Sequence, residues 1–211
     1  MTMKKIISVL LFLSVIPFAF SQSEDSPKSG VKEIFTTFGG TVKSKSIIVK
    51  GGIGLDTNMV ERDGYFIPCV GLSGEYTLQC GPVPLGFGLF ADYSGRSNYS
   101  YYSLNGYNSN RKTEYNNYLA CGVFVNYHVN IPVKNLDLYL GPKVGVNIDF
   151  IQTKNTYIQG GRWQESKENS TDFALYLGGT LGASWYFTEK IGANFEVGYP
   201  VFAKINASVK F

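Results

Sequence analysis

The sequence predicts an all-β fold, an eight-stranded antiparallel up-and-down transmembrane β-barrel, and three observations carry that prediction. Apolar and polar residues alternate over long segments, the segments number eight, and the connections between them alternate between short and long. Period-two alternation puts one face of each strand against an apolar medium. An even strand number returns both ends of a barrel to one side of a membrane, and short turns on that side with longer loops on the other are the habit of bacterial barrels.

Strands are predicted from Ser46 to Asp56 and from Tyr65 to Leu78. In the third, Leu85, Phe87, Leu89, Ala91 and Tyr93 oppose Gly86, Gly88, Phe90, Asp92 and Ser94. In the fourth, Leu119, Cys121, Val123, Val125 and Tyr127 oppose Tyr118, Ala120, Gly122, Phe124, Asn126 and His128. Residues 136–150 set Leu136, Leu138, Leu140, Val144, Val146, Ile148 and Phe150 against Asp137, Tyr139, Gly141, Lys143, Gly145, Asn147 and Asp149, and residues 172–187 continue with Phe173, Leu175, Leu177, Leu181, Ala183, Trp185 and Phe187. The last two strands, Ile191 to Tyr199 and Ala203 to Phe211, form a hairpin through Pro200. Short turns fall near Gln79–Pro84, Asn130–Asn135 and Thr188–Lys190; polar loops are expected from Arg96 to Thr113 and from Gln152 to Thr171, and the loops Thr57–Gly64 and Tyr199–Phe202 are short.

The N-terminus carries an export signal. Lys4 and Lys5 precede the apolar run Ile6–Phe20, which is too short to span a bilayer as a helix but long enough for a secretory core, and Ala19 and Ser21 supply a cleavage site before Gln22. Residues 1–21 are therefore a signal peptide, 22–44 a periplasmic segment in which Phe35 and Phe38 are placed to tuck into the barrel mouth, and 45–211 the barrel. Removing Lys4 and Lys5 lowers the formal charge from +3 to +1, which leaves no field to attract nucleic acid. Cys69, Cys80 and Cys121 are odd in number and lie in or beside strands, so they read as small apolar residues rather than as disulfide, metal or redox groups. No cofactor is expected. After Phe20 no apolar run is long enough for a membrane helix, so a membrane location requires a barrel.

Alternation alone also suits a soluble sandwich or a lipocalin-like barrel with its apolar faces inside. Charge and aromatic placement separate the cases. A polar network of Lys50, Glu75, Asp92, Lys143, Asp149, Glu196 and Lys204 can neutralise itself inside a narrow bore, where glycines such as Gly86, Gly88, Gly122, Gly145 and Gly182 make room for Phe90, Tyr118, Tyr139 and Tyr176. The large rings on the apolar faces fall into two girdles, Phe66, Tyr93, Tyr115, Phe150, Phe173 and Tyr199 at the loop end and Tyr76, Tyr127, Trp185, Phe187 and Phe211 at the turn end.

The stretch LGASWYFTEKIGANFEVGYP followed by INASVKF resembles the closing hairpin of the bacterial outer-membrane β-barrel-domain family, small eight-stranded barrels akin to OmpX and the membrane domain of OmpA. The resemblance covers residues 45–211 and is strongest over the last forty. It implies an outer-membrane location, contact with outer-membrane lipid, and a C-terminal signal for the barrel-assembly machinery at Phe211, Val209, Ala207 and Ile205. It is nearly silent on activity.

An enzyme reading needs a nucleophile, a base and an orienting acid within reach of one another. The single histidine, His128, lies on a polar face at the turn end, away from the external loops, so it reads as structural and no catalytic or metal-binding set is assigned. Gly51-Gly52-Ile53-Gly54 has no helix after it and reads as close strand packing rather than a phosphate loop. The external segments are rich in Tyr, Ser, Asn and Gly, a composition that serves recognition surfaces; Tyr99, Tyr101, Tyr102, Tyr107 and Trp163 are the candidate contacts for an external ligand or envelope protein. The expected function is thus a structural or recognition role through external loops above a filled lumen, the alternative being a conduit for small or apolar solutes.

Overall fold

A computed structural model describes residues 38, 41–56, 66–81, 83–104, 107–131, 133–159 and 162–211. The expected signal peptide, most of the 22–44 segment and the loop from Thr57 to Gly64 lie outside the described residues. Eight strands, β1 (Ile47–Asp56), β2 (Phe66–Cys80), β3 (Val83–Leu104), β4 (Tyr107–Val129), β5 (Leu136–Gln159), β6 (Arg162–Tyr186), β7 (Ile191–Tyr199) and β8 (Val201–Lys210), pair with their neighbours in chain order. β8 closes on β1 with Gly51 opposite Ala207 and Ile53 opposite Ile205. Backbone bonds between Ile47 and Phe211, 2.8 and 3.1 Å, finish the closure. Every pair is antiparallel, so each strand completes its neighbour's backbone bonding and the membrane-spanning part presents no open edge to lipid.

The faces are inverted relative to a soluble domain. Ile53, Leu72, Leu89, Leu175 and Ile205 are each 60 % exposed or more, while Lys50, Asn194 and Ser208 inside the ring are 3 % or less. Apolar side chains pointing away from a sealed polar interior exclude the soluble sandwich and place lipid outside. Tyr93, Phe150, Phe173 and Tyr199 at the loop end and Tyr76, Trp185, Phe187 and Phe211 at the turn end are exposed, with Tyr115 and Tyr127 half-buried beside them. The side chain of Phe66 lies outside the described residues.

The two long external loops need correction. Residues 96–104 and 107–113 are strand, as are 152–159 and 162–171. β1, β7 and β8, at 9 to 10 residues, have the length of a tilted membrane strand. β3 to β6, at 22 to 25, exceed it. The excess of roughly a dozen residues each is about 40 Å of extended chain, and it continues the barrel wall as a projecting four-stranded sheet. Apolar alternation could not reveal it, because above the membrane both faces meet water and the apolar signal ends. What holds the extension is cross-strand pairing of β-favouring residues, with Tyr99 opposite Thr113 and Tyr101 opposite Arg111. Lys154 and Lys167 also bracket Glu165 at 2.7 and 3.1 Å; these hydrogen bonds hold the exposed Glu165 carboxyl below its ordinary range. β7 covers β6 only from Gly179 to Tyr186 and β2 covers β3 only as far as Arg96, so among the described residues the upper parts of β6 and β3 are the two edges of the sheet.

Candidate functional site

The lumen is filled by side chains that alternation directs inward from neighbouring strands. Lys50 on β1 lies 3.2 Å from Glu75 on β2 and 3.7 Å from Glu196 on β7, with its ammonium 3.7 Å above the Tyr139 ring. Tyr139 donates to Glu196 at 2.6 Å and accepts from Asn194 at 2.7 Å, and Asn206 donates to Asn194 at 2.7 Å. Lys143 approaches the second oxygen of Glu196 at 3.6 Å. Lys204 and Asp92 form a further pair at 2.6 Å.

His128 belongs to the same cluster. Its Nδ1 is 2.9 Å from Asp137 and its Nε2 is 2.9 Å from Glu75, which also accepts from Asn126 at 3.0 Å. With a carboxylate on each ring nitrogen, both nitrogens donate and the ring is the imidazolium form. The buried interior is then balanced, with Lys50, Lys143, Lys204 and His128 against Glu75, Glu196, Asp92 and Asp137. Such balance lets a bilayer-depth interior hold charge at all.

Of the seven network residues read from the sequence, six meet in this interior. Asp149 does not: it stands opposite Asp172 at the loop-end rim, half-exposed and bonded to Asn147, because β5 has by then climbed past the sealed section. His128, Asp137, Tyr139, Asn126 and Asn194 complete the cluster; the sequence showed the first four on polar faces, but only the register places all five at one height.

Above the ion pairs, Phe90, Phe124 and Tyr176 form an aromatic layer, with Phe90 and Tyr176 5.1 Å apart and Lys143 5.5 Å from the Phe90 ring. The layers leave a pocket of about 220 Å³ on the loop side, lined by Asp92, Tyr118 and Tyr176, and only about 10 Å³ beside Lys143, Glu196 and Lys204. The latter is about one water. Cys69 is buried at the loop-side pocket, and no disulfide joins the three cysteines.

The turn end is closed by the chain itself. Val42 is buried against Ile48, Tyr186 and Phe38, and the Phe38 ring lies 5.4 Å from His128. The strap is tied down by Lys45 N donating to Thr77 O at 2.7 Å, Thr77 Oγ1 to Lys43 O at 2.6 Å, and Gln79 N to Ser44 Oγ at 3.0 Å. Phe38 thus occupies the mouth; Phe35 lies outside the described residues.

On the projecting sheet, the register puts Tyr99, Tyr101, Arg111, Ile158 and Trp163 on one face. Tyr101 and Trp163 are 66 and 64 % exposed, and the Arg111 guanidinium sits 4.6 Å above the Tyr99 ring. Tyr102 and Tyr107 lie in strands opposite Asn110 and Leu104; their side chains are outside the described residues.

No family profile matches the chain, and no curated protein sequence does. Among solved structures it is similar to the N-terminal β-barrel domain of Pseudomonas aeruginosa OprF, with 13 % identity over 80 % of this chain and 98 % of that one and a TM-score of 0.38. It is also similar to a de novo designed transmembrane β-barrel, at 13 % identity, 81 and 99 % coverage and TM-score 0.40. Neisserial surface protein A gives 16 % identity, 78 and 93 % coverage and TM-score 0.35. The assignment of fold rests on the chain's own geometry: this protein is an eight-stranded antiparallel up-and-down transmembrane β-barrel with an apolar exterior and a charge-balanced, sealed lumen.

Proposed function

We propose that this is an exported, non-catalytic protein of a bacterial outer membrane that serves a structural or recognition role through the sheet it projects outside. The observation that carries this reading is the extension of β3 to β6 beyond the girdle, with exposed aromatic side chains beside Arg111 on one face. Rigid rings presented on paired strands give contact area at low entropic cost, which suits an external ligand or an envelope protein as partner. A hydrolytic role is disfavoured because His128 is locked between two carboxylates at 1 % exposure. A conduit is disfavoured by the packed layers.

The test is a barrel trimmed by deleting 98–113 and 153–169, displayed on cells beside the wild type. Cells with the trimmed barrel are expected to lose the surface attachment, read as cell–cell sedimentation, that the wild type confers; equal attachment would overturn the recognition role. In planar bilayers the purified wild type is expected to show no steady current comparable to that of a sixteen-stranded porin, and such a current would restore the conduit.

The location has its own test at Phe211, whose ring is 68 % exposed. Phe211→Ala is expected to cost about 1 kcal/mol in refolding, since the ring packs little against protein and sits at the membrane interface, only partly removed from water. Deleting Phe211 also removes two backbone bonds, each worth about 1 kcal/mol net, so the variant is expected to refold in detergent yet fail to reach the cell surface if the terminal aromatic is the assembly signal. Wild-type surface levels of the deleted protein would show that it is not.

A further inference from the structure

The turn end holds a cavity of about 660 Å³ that neither the lumen cluster nor the projecting sheet uses. Lys43 reaches it from the strap, Lys134 from the β4–β5 turn, Lys190 from the β6–β7 turn and Lys210 from the end of β8; against these four cations its described lining offers the Glu189 side chain and the α-carboxylate of Phe211. Lys210 forms a fixed wall, since its ammonium donates to the Thr41 carbonyl and lies 4.5 Å over the Tyr186 ring. Lys43, Lys134 and Lys190 are exposed, and none is in an ion pair among the described residues, whereas the exposed pairs of Lys112, Lys154 and Lys167 all lie on the projecting sheet.

The interior beneath is charge-balanced as a whole, so it offsets these four cations only locally, where Asp137 acts on Lys210. A concave mouth lined by an excess of one sign of charge concentrates anions, and here the cations outnumber the carboxylates. The rim residue Phe211 belongs to the turn-end girdle, which sets the opening at the depth of the phosphate layer of the adjoining leaflet. Lysine is a point-charge phosphate ligand, and the volume falls in the ordinary range of ligand pockets, larger than a bare ion needs. We propose that this cavity binds a phosphate group that carries net negative charge, with Lys43, Lys134 and Lys190 as direct ligands and Lys210 as the back wall. The phosphate can come from an anionic phospholipid headgroup or from free phosphate.

The experiment uses the full-length refolded protein in nonionic micelles. Phosphatidylglycerol and phosphatidylcholine are supplied in equal amounts, and the lipid retained is counted by native mass spectrometry, with and without inorganic phosphate. Wild type is expected to favour phosphatidylglycerol by about tenfold or more, and K43Q/K134Q/K190Q to lose that preference. K112Q/K154Q/K167Q, which removes the same charge from the projecting sheet, is expected to keep it. Retention that resists inorganic phosphate assigns the site to the headgroup; displacement by phosphate, or binding of phosphate in place of lipid, assigns it to the free anion. Equal lipid ratios for wild type and the turn-end triple variant with no phosphate bound by either, or equal loss in both triple variants, would overturn the proposal.

Discussion

Glu75→Leu is expected to destabilise the refolded barrel by about 3–5 kcal/mol, the cost of removing one partner from a buried ion pair. Glu75 is 2 % exposed and accepts from Asn126 and His128 while pairing with Lys50, so its loss leaves two cations deprived of a carboxylate with no water to replace it. The damage is in the uncompensated charge, so Lys50→Met added to Glu75→Leu is expected to recover part of the loss. Glu196 keeps Lys143 and Tyr139, and His128 keeps Asp137. Urea unfolding in lipid vesicles, read by gel mobility, measures both variants. Because the cluster is sealed, the deficit is expected to be nearly the same at about 0.1 M and about 1 M salt, conditions that differ strongly in screening of exposed charges. A Glu75→Leu protein within about 0.5 kcal/mol of wild type, the range of ordinary surface substitutions, would mean that the cluster is hydrated.

Gly145→Val is expected to prevent formation of a heat-resistant barrel. Gly145 faces Gly122 across β4 and β5, and a Cβ at Gly145 would fall 2.0 Å from the Cys121 carbonyl oxygen and 2.7 Å from the Gly122 Cα. A Cβ at Gly122 would fall 2.1 Å from the Val144 carbonyl. These are backbone atoms held by the ladder, so relief requires spreading two paired strands under the aromatic layer of Phe90 and Tyr176. Overpacking where side chains can give costs about 1–3 kcal/mol, and here the loss is expected to exceed that. Gly74→Val is the control, because a Cβ at Gly74 has no heavy atom within 4 Å; it is expected to fold normally. Equal stability of the Gly145→Val and Gly74→Val proteins would show that the β4–β5 seam is loose.

The strand number, the chain order of pairing, the inside and outside of each strand and the two girdles were legible in the sequence, because a barrel's only demand on a spanning strand is period-two alternation with rings at the ends. Leu89, Val123, Val146 and Leu175 announce lipid whichever residues they pair with. Six of the lumen charges were legible for the same reason. Three things were decided only in the folded chain. The projecting sheet was hidden because the apolar signal stops where water begins, while strand pairing between Tyr99 and Thr113 or Tyr101 and Arg111 does not. The role of His128 depended on register, which brings Glu75 and Asp137 to its two nitrogens from sequence distances of 53 and 9 residues. The lysine-lined cavity is assembled from the strap, two turns and a strand end, and no local pattern marks residues so far apart as sharing one volume, because only closure of β8 on β1 brings Lys210 beside Thr41.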